Sequence, residues 1–193
     1  MGYGLLAISW ILFGTLHSVT ASLWFKHWVI TIIGLPKSYY RLAYTGFSLI
    51  TFLPVLFTLR AAPIDPLFTN WDGSLWVGGL LISAGVLIGL LSFKQYDLAE
   101  FIGWPVRHQS AADGSFRQDG LLRLVRHPLY LGILLILIGL LIYQPNWKHL
   151  LFDLLAFAYL RIGIHFEEQK LIREFGSQYI QYRQRVPMLI PTF

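Results

Sequence analysis

The sequence predicts an all-α integral membrane protein: five transmembrane helices, a cytoplasmic C-terminal helix, and a polar cytoplasmic pocket at the last helical hairpin. Three observations carry that expectation: the composition, the uncharged runs and the placement of the basic residues. Of the 193 residues, 55% are apolar and 13% charged, against about 45–50% and about 25% in soluble domains. Mean hydropathy is +0.57, and a soluble globular domain does not fit. There is no cysteine, which excludes disulfides, thiolate metal sites and cysteine nucleophiles.

A bilayer core takes about 20 apolar residues in helical form. Gly4–Phe25 supplies 22 residues without a formal charge, and with no signal-peptide features it is expected to stay as an anchor. Leu42–Leu59 supplies 18, with Pro54 as a kink that neighbouring helices tolerate. Ser74–Phe93 supplies 20 and His127–Trp147 supplies 21. Lys148–Phe166 is the fifth candidate, interrupted by Asp153 and Arg161.

The basic residues orient these spans. With the N-terminus outside, the inside segments 26–41, 94–126 and 161–193 hold 13 of the 15 lysines and arginines, leaving Arg60 and Lys148 outside. That bias is the positive-inside pattern and puts the C-terminus in the cytoplasm. The net charge of +5 is therefore a topology signal, and no nucleic-acid partner is expected. Glu167–Arg185 reads as a charged helix continuing the fifth span, with Leu171, Ile172, Phe175, Tyr179 and Tyr182 at helical spacing and Pro187 and Pro191 ending it.

Two clusters have the composition of a site. In Arg126-His127-Pro128-Leu129-Tyr130-Leu131-Gly132, Pro128 suits the first helical position, where a missing N–H costs nothing. The free N–H groups just beyond it, with the helix dipole, favour an anion. Arg126 and His127 add donors, Tyr130 lies one turn inside, and Gly132 permits close approach of a ligand or a helix. The plain alternative is a juxtamembrane arginine, a helix cap and an interfacial tyrosine. On the fifth span, Arg161, His165 and Glu168 fall within about 60° on one helix face, while Glu167 points about 120° away from Arg161. Ionisable residues in a span count as functional candidates; the alternative is an ion pair between Arg161 or His165 and Glu168 that holds helices together. His127, His165 and Glu168 lack the spacing of known membrane metal boxes, and no metal is expected. Gly85-x-x-x-Gly89 marks close helix packing, within the chain or between chains.

The ordered series Gly120-x5-Arg126-His127-Pro128-x-Tyr130-x-Gly132, Glu167-Glu168-x2-Leu171-x3-Phe175-Gly176-x2-Tyr179-x2-Tyr182 and Arg185-Val186-Pro187 with Pro191 resembles the membrane-bound methyltransferases of the isoprenylcysteine carboxyl methyltransferase and phospholipid methyltransferase superfamily. The match runs over roughly 114–193. Leu16-His17-Ser18 and Tyr40-Arg41-Leu42 look like the bacterial NnrU-type branch, which includes methanethiol methyltransferase relatives.

The resemblance implies S-adenosyl-L-methionine as cofactor. It implies Arg126, His127, Pro128, Leu129, Tyr130 and Gly132 lining the cofactor, Glu167 or Glu168 closing it, and contributions from Gly114–Arg117 and Gly120–Leu122. It implies catalytic roles for Arg161, toward the acceptor, and for Glu168. Residues 1–193 then form one membrane domain, with 1–110 a three-span part and 111–193 the cofactor-binding hairpin and C-terminal helix. The acceptor is a lipophilic or small carboxylate, thiol or amine, reached from membrane lipid, and the location is a bacterial inner membrane. Two other classes share features of the chain. One is an NADPH-dependent sterol-type reductase using Arg107, Arg117 and Arg123 on a 2′-phosphate. The other is a non-catalytic NnrU-like protein of a nitrogen-oxide pathway, binding haem through His17 or His127. The methyltransferase expectation makes a prediction: His127→Ala and Glu168→Ala weaken binding of S-adenosylhomocysteine, while Arg161→Ala chiefly lowers turnover in protein that remains folded, as titration calorimetry beside a methyl-transfer assay would read.

Overall fold

A computed structural model describes residues 2–93, 102–104, 116 and 118–191. Lys94, Arg107, His108 and Gly114–Arg117 except Phe116 lie outside the described residues. The architecture is all-helical: α1 Gly2–Ala21, α2 Leu23–Trp28 with a π turn over Val29–Ile33, α3 Lys37–Ala61, α4 Ser74–Phe93, a 3-10 turn Gly120–Arg123, α5 Pro128–Tyr143, α6 Trp147–Phe175 and α7 Ser177–Arg185. Among the described residues the extended pairing is one isolated antiparallel bridge, Pro66 with Asn146. Four helices, α1, α3, α4 and α6, are long and apolar enough to cross a membrane. The expected span at His127–Trp147 is a shorter helix of 16 residues, because the chain leaves the helix at Gln144-Pro145.

The chain divides into two compact units, Met1–Asp65 with Tyr96–Gln109, and Pro66–Gln95 with Ser110–Phe193. In the first, α1 and α3 run antiparallel, joined by hydroxyl pairs that apolar helices use in place of a hydrophobic drive. Ser9 Oγ and Thr58 Oγ1 are 2.8 Å apart, the Tyr40 hydroxyl donates to the Thr20 carbonyl, and the Tyr44 hydroxyl meets His17 Nε2. Trp10, Phe13 and Phe52 pack edge to face at 5.0–5.8 Å between ring centroids. Pro54 sits inside α3, as the sequence predicts.

In the second unit α4 and α5 form the most extensive helix contact among the described residues. The sequence division at residue 110 grouped the third span with the first two; its packing partner is in fact α5. A seam of glycines explains why. A Cβ on Gly78 would lie 2.8 Å from the Gly139 carbonyl oxygen, and one on Gly85 would lie 2.5 Å from that of Gly132. The same holds in reverse, with Gly132 meeting Gly85 and Gly139 meeting Gly78 at 2.8 Å. The backbones touch at two levels seven residues apart on each helix, an antiparallel register that only small residues allow. Gly89 joins the seam through its backbone, while its own Cβ position is open.

The charged helix expected over Glu167–Arg185 is two helices. α6 runs on to Phe175, Gly176 takes φ +55°, and α7 starts at Ser177. A left-handed φ suits glycine because it has no Cβ to clash, and the break turns α7 back on the end of α6. Phe116 fills the angle, against Phe175, Tyr179 and Tyr182 at 4.9–5.3 Å. Large apolar side chains such as Leu80 and Trp76 on α4 and Leu154 and Phe166 on α6 stay exposed, as lipid-facing positions do. The seam makes a prediction. Gly85→Ala and Gly132→Ala destabilise the protein by about 1–3 kcal/mol through overpacking, whereas Gly79→Ala, whose Cβ meets nothing within 4 Å, leaves Tm unchanged. Thermal unfolding in detergent reads both.

Candidate active site

Pro128 opens α5 at its first turn and is fully buried. With no N–H of its own, it starts the helix and leaves Arg126 and His127 outside it, at its mouth. Their N–H groups are taken by the C-terminal segment: Arg126 donates to the Pro187 carbonyl at 2.9 Å and His127 to that of Met188 at 3.2 Å. The side chains are thereby aimed at α6.

There Glu168 is 6% exposed, and its carboxylate collects three cationic or polar partners. Arg126 Nη2 lies 3.2 Å from Oε1, His127 Nε2 lies 3.2 Å from the same oxygen, and Arg183 Nη1 of α7 lies 3.7 Å from Oε2. Ionised groups out of water need such pairing. Glu167, one residue earlier, faces a more open side. It is 40% exposed, accepts from the Tyr130 hydroxyl at 3.1 Å, and lies 3.8 Å from His127 Nδ1. The His127 and Tyr130 rings stack at 5.6 Å. Glu168 thus bonds one nitrogen of the imidazole, and Glu167 stands 3.8 Å from the other.

Two buried donors point into this cluster without a partner among the described residues: Arg126 Nε and the Tyr179 hydroxyl. Burial pushes the Tyr179 phenol well above its ordinary value. The Glu168 charge adds to that and Arg126 opposes it, so Tyr179 stays a neutral O–H donor. Its position is held by Phe116 and Tyr182, and the Tyr182 hydroxyl donates to the Leu122 carbonyl at 2.7 Å.

Of the residues expected from the sequence, Arg126, His127, Tyr130, Glu167 and Glu168 come together. Pro128 and Leu129 form the first turn beside them. Gly132 instead packs on α4, where its missing Cβ lets Gly85 approach; the contact it serves is with a helix. His165 is exposed and meets Phe166 edge-on at 5.6 Å, and it is not a partner of Glu168. Arg161 is also not paired with Glu168: its guanidinium donates to the Met188 sulfur. The alternative of an Arg161–Glu168 ion pair is therefore replaced by Arg126, His127 and Arg183. Arg183 and Tyr179 belong to the cluster and were not singled out as site residues. Their i, i+4 placement on one face of the C-terminal helix was the signal available for them.

The cluster stands at the mouth of a helical hairpin in an otherwise apolar bundle, an arrangement that fits an integral membrane protein with a polar site at one end. The comparisons say which class. The phospholipid methyltransferase family model matches residues 74–178, beginning at the first residue of α4. Methanethiol S-methyltransferase 2 of Bradyrhizobium diazoefficiens is 36% identical over 188 residues, 93% of this chain and 70% of that protein. Methanethiol S-methyltransferase of Pseudomonas deceptionensis is 32% identical over 193 residues, 94% and 70%. The protein-S-isoprenylcysteine O-methyltransferase of Schizosaccharomyces pombe is 38% identical over 74 residues, 38% and 31%. No solved structure matches the chain. The chain belongs to the phospholipid methyltransferase family and is an integral membrane methyltransferase.

The pairing predicts unequal costs for the two glutamates. Glu168→Ala strands Arg126 beside His127 in a buried site and lowers stability by about 3–5 kcal/mol, whereas Glu167→Ala, at the open side, changes it by less than about 1 kcal/mol. Denaturation of the two variants in the same detergent checks this.

Proposed function

We propose that the protein transfers a methyl group from S-adenosyl-L-methionine to a small thiol at the cytoplasmic face of a bacterial inner membrane. The observation that carries the cofactor is the donor set: Arg126 Nε and the Tyr179 hydroxyl are buried without partners, beside a half-exposed carboxylate. That set fits a ligand with a carboxylate for the donors and an ammonium or ribose hydroxyls for Glu167. Bound there, the cofactor would supply an electrophilic methyl group on a sulfonium, with a neutral thioether as the leaving group.

The chain's own residues orient and hold charge. Arg126 and His127, fixed by Glu168, meet the cofactor's polar end. Tyr130 fixes the direction of Glu167. Methyl transfer needs in-line alignment more than acid–base power, and a rigid pairing of this kind provides it. Arg161 would favour the ionised form of an acceptor thiol by its positive charge, the proton leaving to water. The thiol is supported by the relatives named methanethiol S-methyltransferase, which match over nearly the whole chain.

Five crossings, with the N-terminus outside, accord with 13 of 15 basic residues on one side. They also accord with the pairing of short α5 along α4. Of the arginines the reductase reading would use, Arg123 is exposed, and Arg107 and Arg117 lie outside the described residues.

Calorimetric titration of the detergent-purified protein with S-adenosylhomocysteine, and with NADPH in parallel, tests the reading. Saturable binding of the former alone is expected. Binding of NADPH alone overturns the proposal in favour of a reductase, and binding of neither by folded protein overturns it in favour of a non-catalytic role, which a Soret band would identify as haem binding.

A further inference from the structure

Arg161 stands 14 residues into α6, on an exposed position near the C-terminal end of the fifth apolar run. Its guanidinium favours an anion or strong acceptors over an apolar neighbour. What it meets among the described residues is the Met188 thioether, one of the weakest acceptors a protein has. Because the thioether is so weak an acceptor, an anionic sulfur or carboxylate that reached Arg161 would displace it.

Met188 is built for displacement. Its backbone carbonyl is held by the His127 N–H at 3.2 Å, and Pro187 before it is held by Arg126 at 2.9 Å. Its side chain is unbranched, with three rotatable bonds. A movable arm thus stands on a fixed strap, between the imidazole that Glu168 grips and the guanidinium of Arg161. The end of that arm is itself informative. Cγ–Sδ–Cε is a methyl thioether, the same group that methylation of a small thiol produces.

We infer that Met188 occupies the acceptor subsite in the resting protein, and that its side chain sets the size of thiol that Arg161 can hold. Met188 is in this sense a specificity-determining residue on the C-terminal strap. Small thiols displace the terminal methyl thioether and fit the space it leaves; longer ones meet the strap's main chain. The inference rests on the methyltransferase reading above and names the residue that selects its acceptor.

The test compares wild type, Met188→Ala and Met188→Leu for S-adenosylhomocysteine affinity and for steady-state methylation of methanethiol, 1-propanethiol and phenylmethanethiol. Shortening the arm in Met188→Ala should lower KM for the two larger thiols relative to methanethiol by about tenfold or more, with cofactor-product affinity within about twofold of wild type. Met188→Leu, which keeps the volume without the sulfur, should retain the preference for methanethiol and so shows that a folded strap, rather than its disruption, is being read. An unchanged order of KM values in Met188→Ala that still binds S-adenosylhomocysteine overturns the inference, as does wild type that binds it but methylates none of the thiols. Wild type that fails to bind it defeats the methyltransferase reading itself, and the inference falls with it.

Discussion

The C-terminal unit depends on one buried carboxylate. Glu168 cannot sit in a nearly dry position unless its charge is answered, and the groups that answer it come from three separate pieces of chain: Arg126 and His127 before α5, and Arg183 on α7. Each of these is placed by something else. Pro128 keeps the first two out of the helix, and Gly176 folds α7 back so that Arg183 can arrive. The carboxylate is therefore the point at which the helical hairpin, the C-terminal helix and the strap beyond it are made mutually consistent. A buried network of this kind is demanding, since loss of one member leaves the others unpaired in a low dielectric.

The glycine seam does the complementary work. Electrostatics holds the polar end of α5, but nothing in lipid drives the rest of that helix against a neighbour except close contact. Gly78, Gly85, Gly132 and Gly139 supply it by letting backbone meet backbone. The family match starting at Ser74 fits this division of labour. α4 belongs with the site because it braces the helix whose first turn carries the site.

Much of this was legible in the sequence, and the failures have physical causes. Four of the five apolar runs fall on helices long and apolar enough to cross a membrane, because length and charge alone decide what a bilayer admits, and Ser74–Phe93 was read to the residue. The Arg126–Tyr130 stretch and the paired glutamates were legible because proline position and acid placement are local signals. The alternative of an Arg161–Glu168 ion pair rested on a helical wheel, which records angle and ignores rise. Seven residues separate them by about 10.5 Å along the axis, too far for an ion pair. The break at Gly176 was hidden by apolar spacing that continues through it. Arg183 was missed because its role depends on that break. The partner of Gly85 was not readable either, because a small-residue pattern says that a helix comes close without saying which one.

The shortness of α5 carries a further consequence. Sixteen residues rise about 24 Å, less than the hydrocarbon thickness of an average bilayer, about 30 Å. A helix that stops early must be met by thinning of the surrounding lipid or by polar groups reached from below the surface plane. In a bilayer of average thickness the polar end of α5 is therefore drawn toward the hydrocarbon boundary, and the thickness of the host membrane bears on how that end of the hairpin is seated.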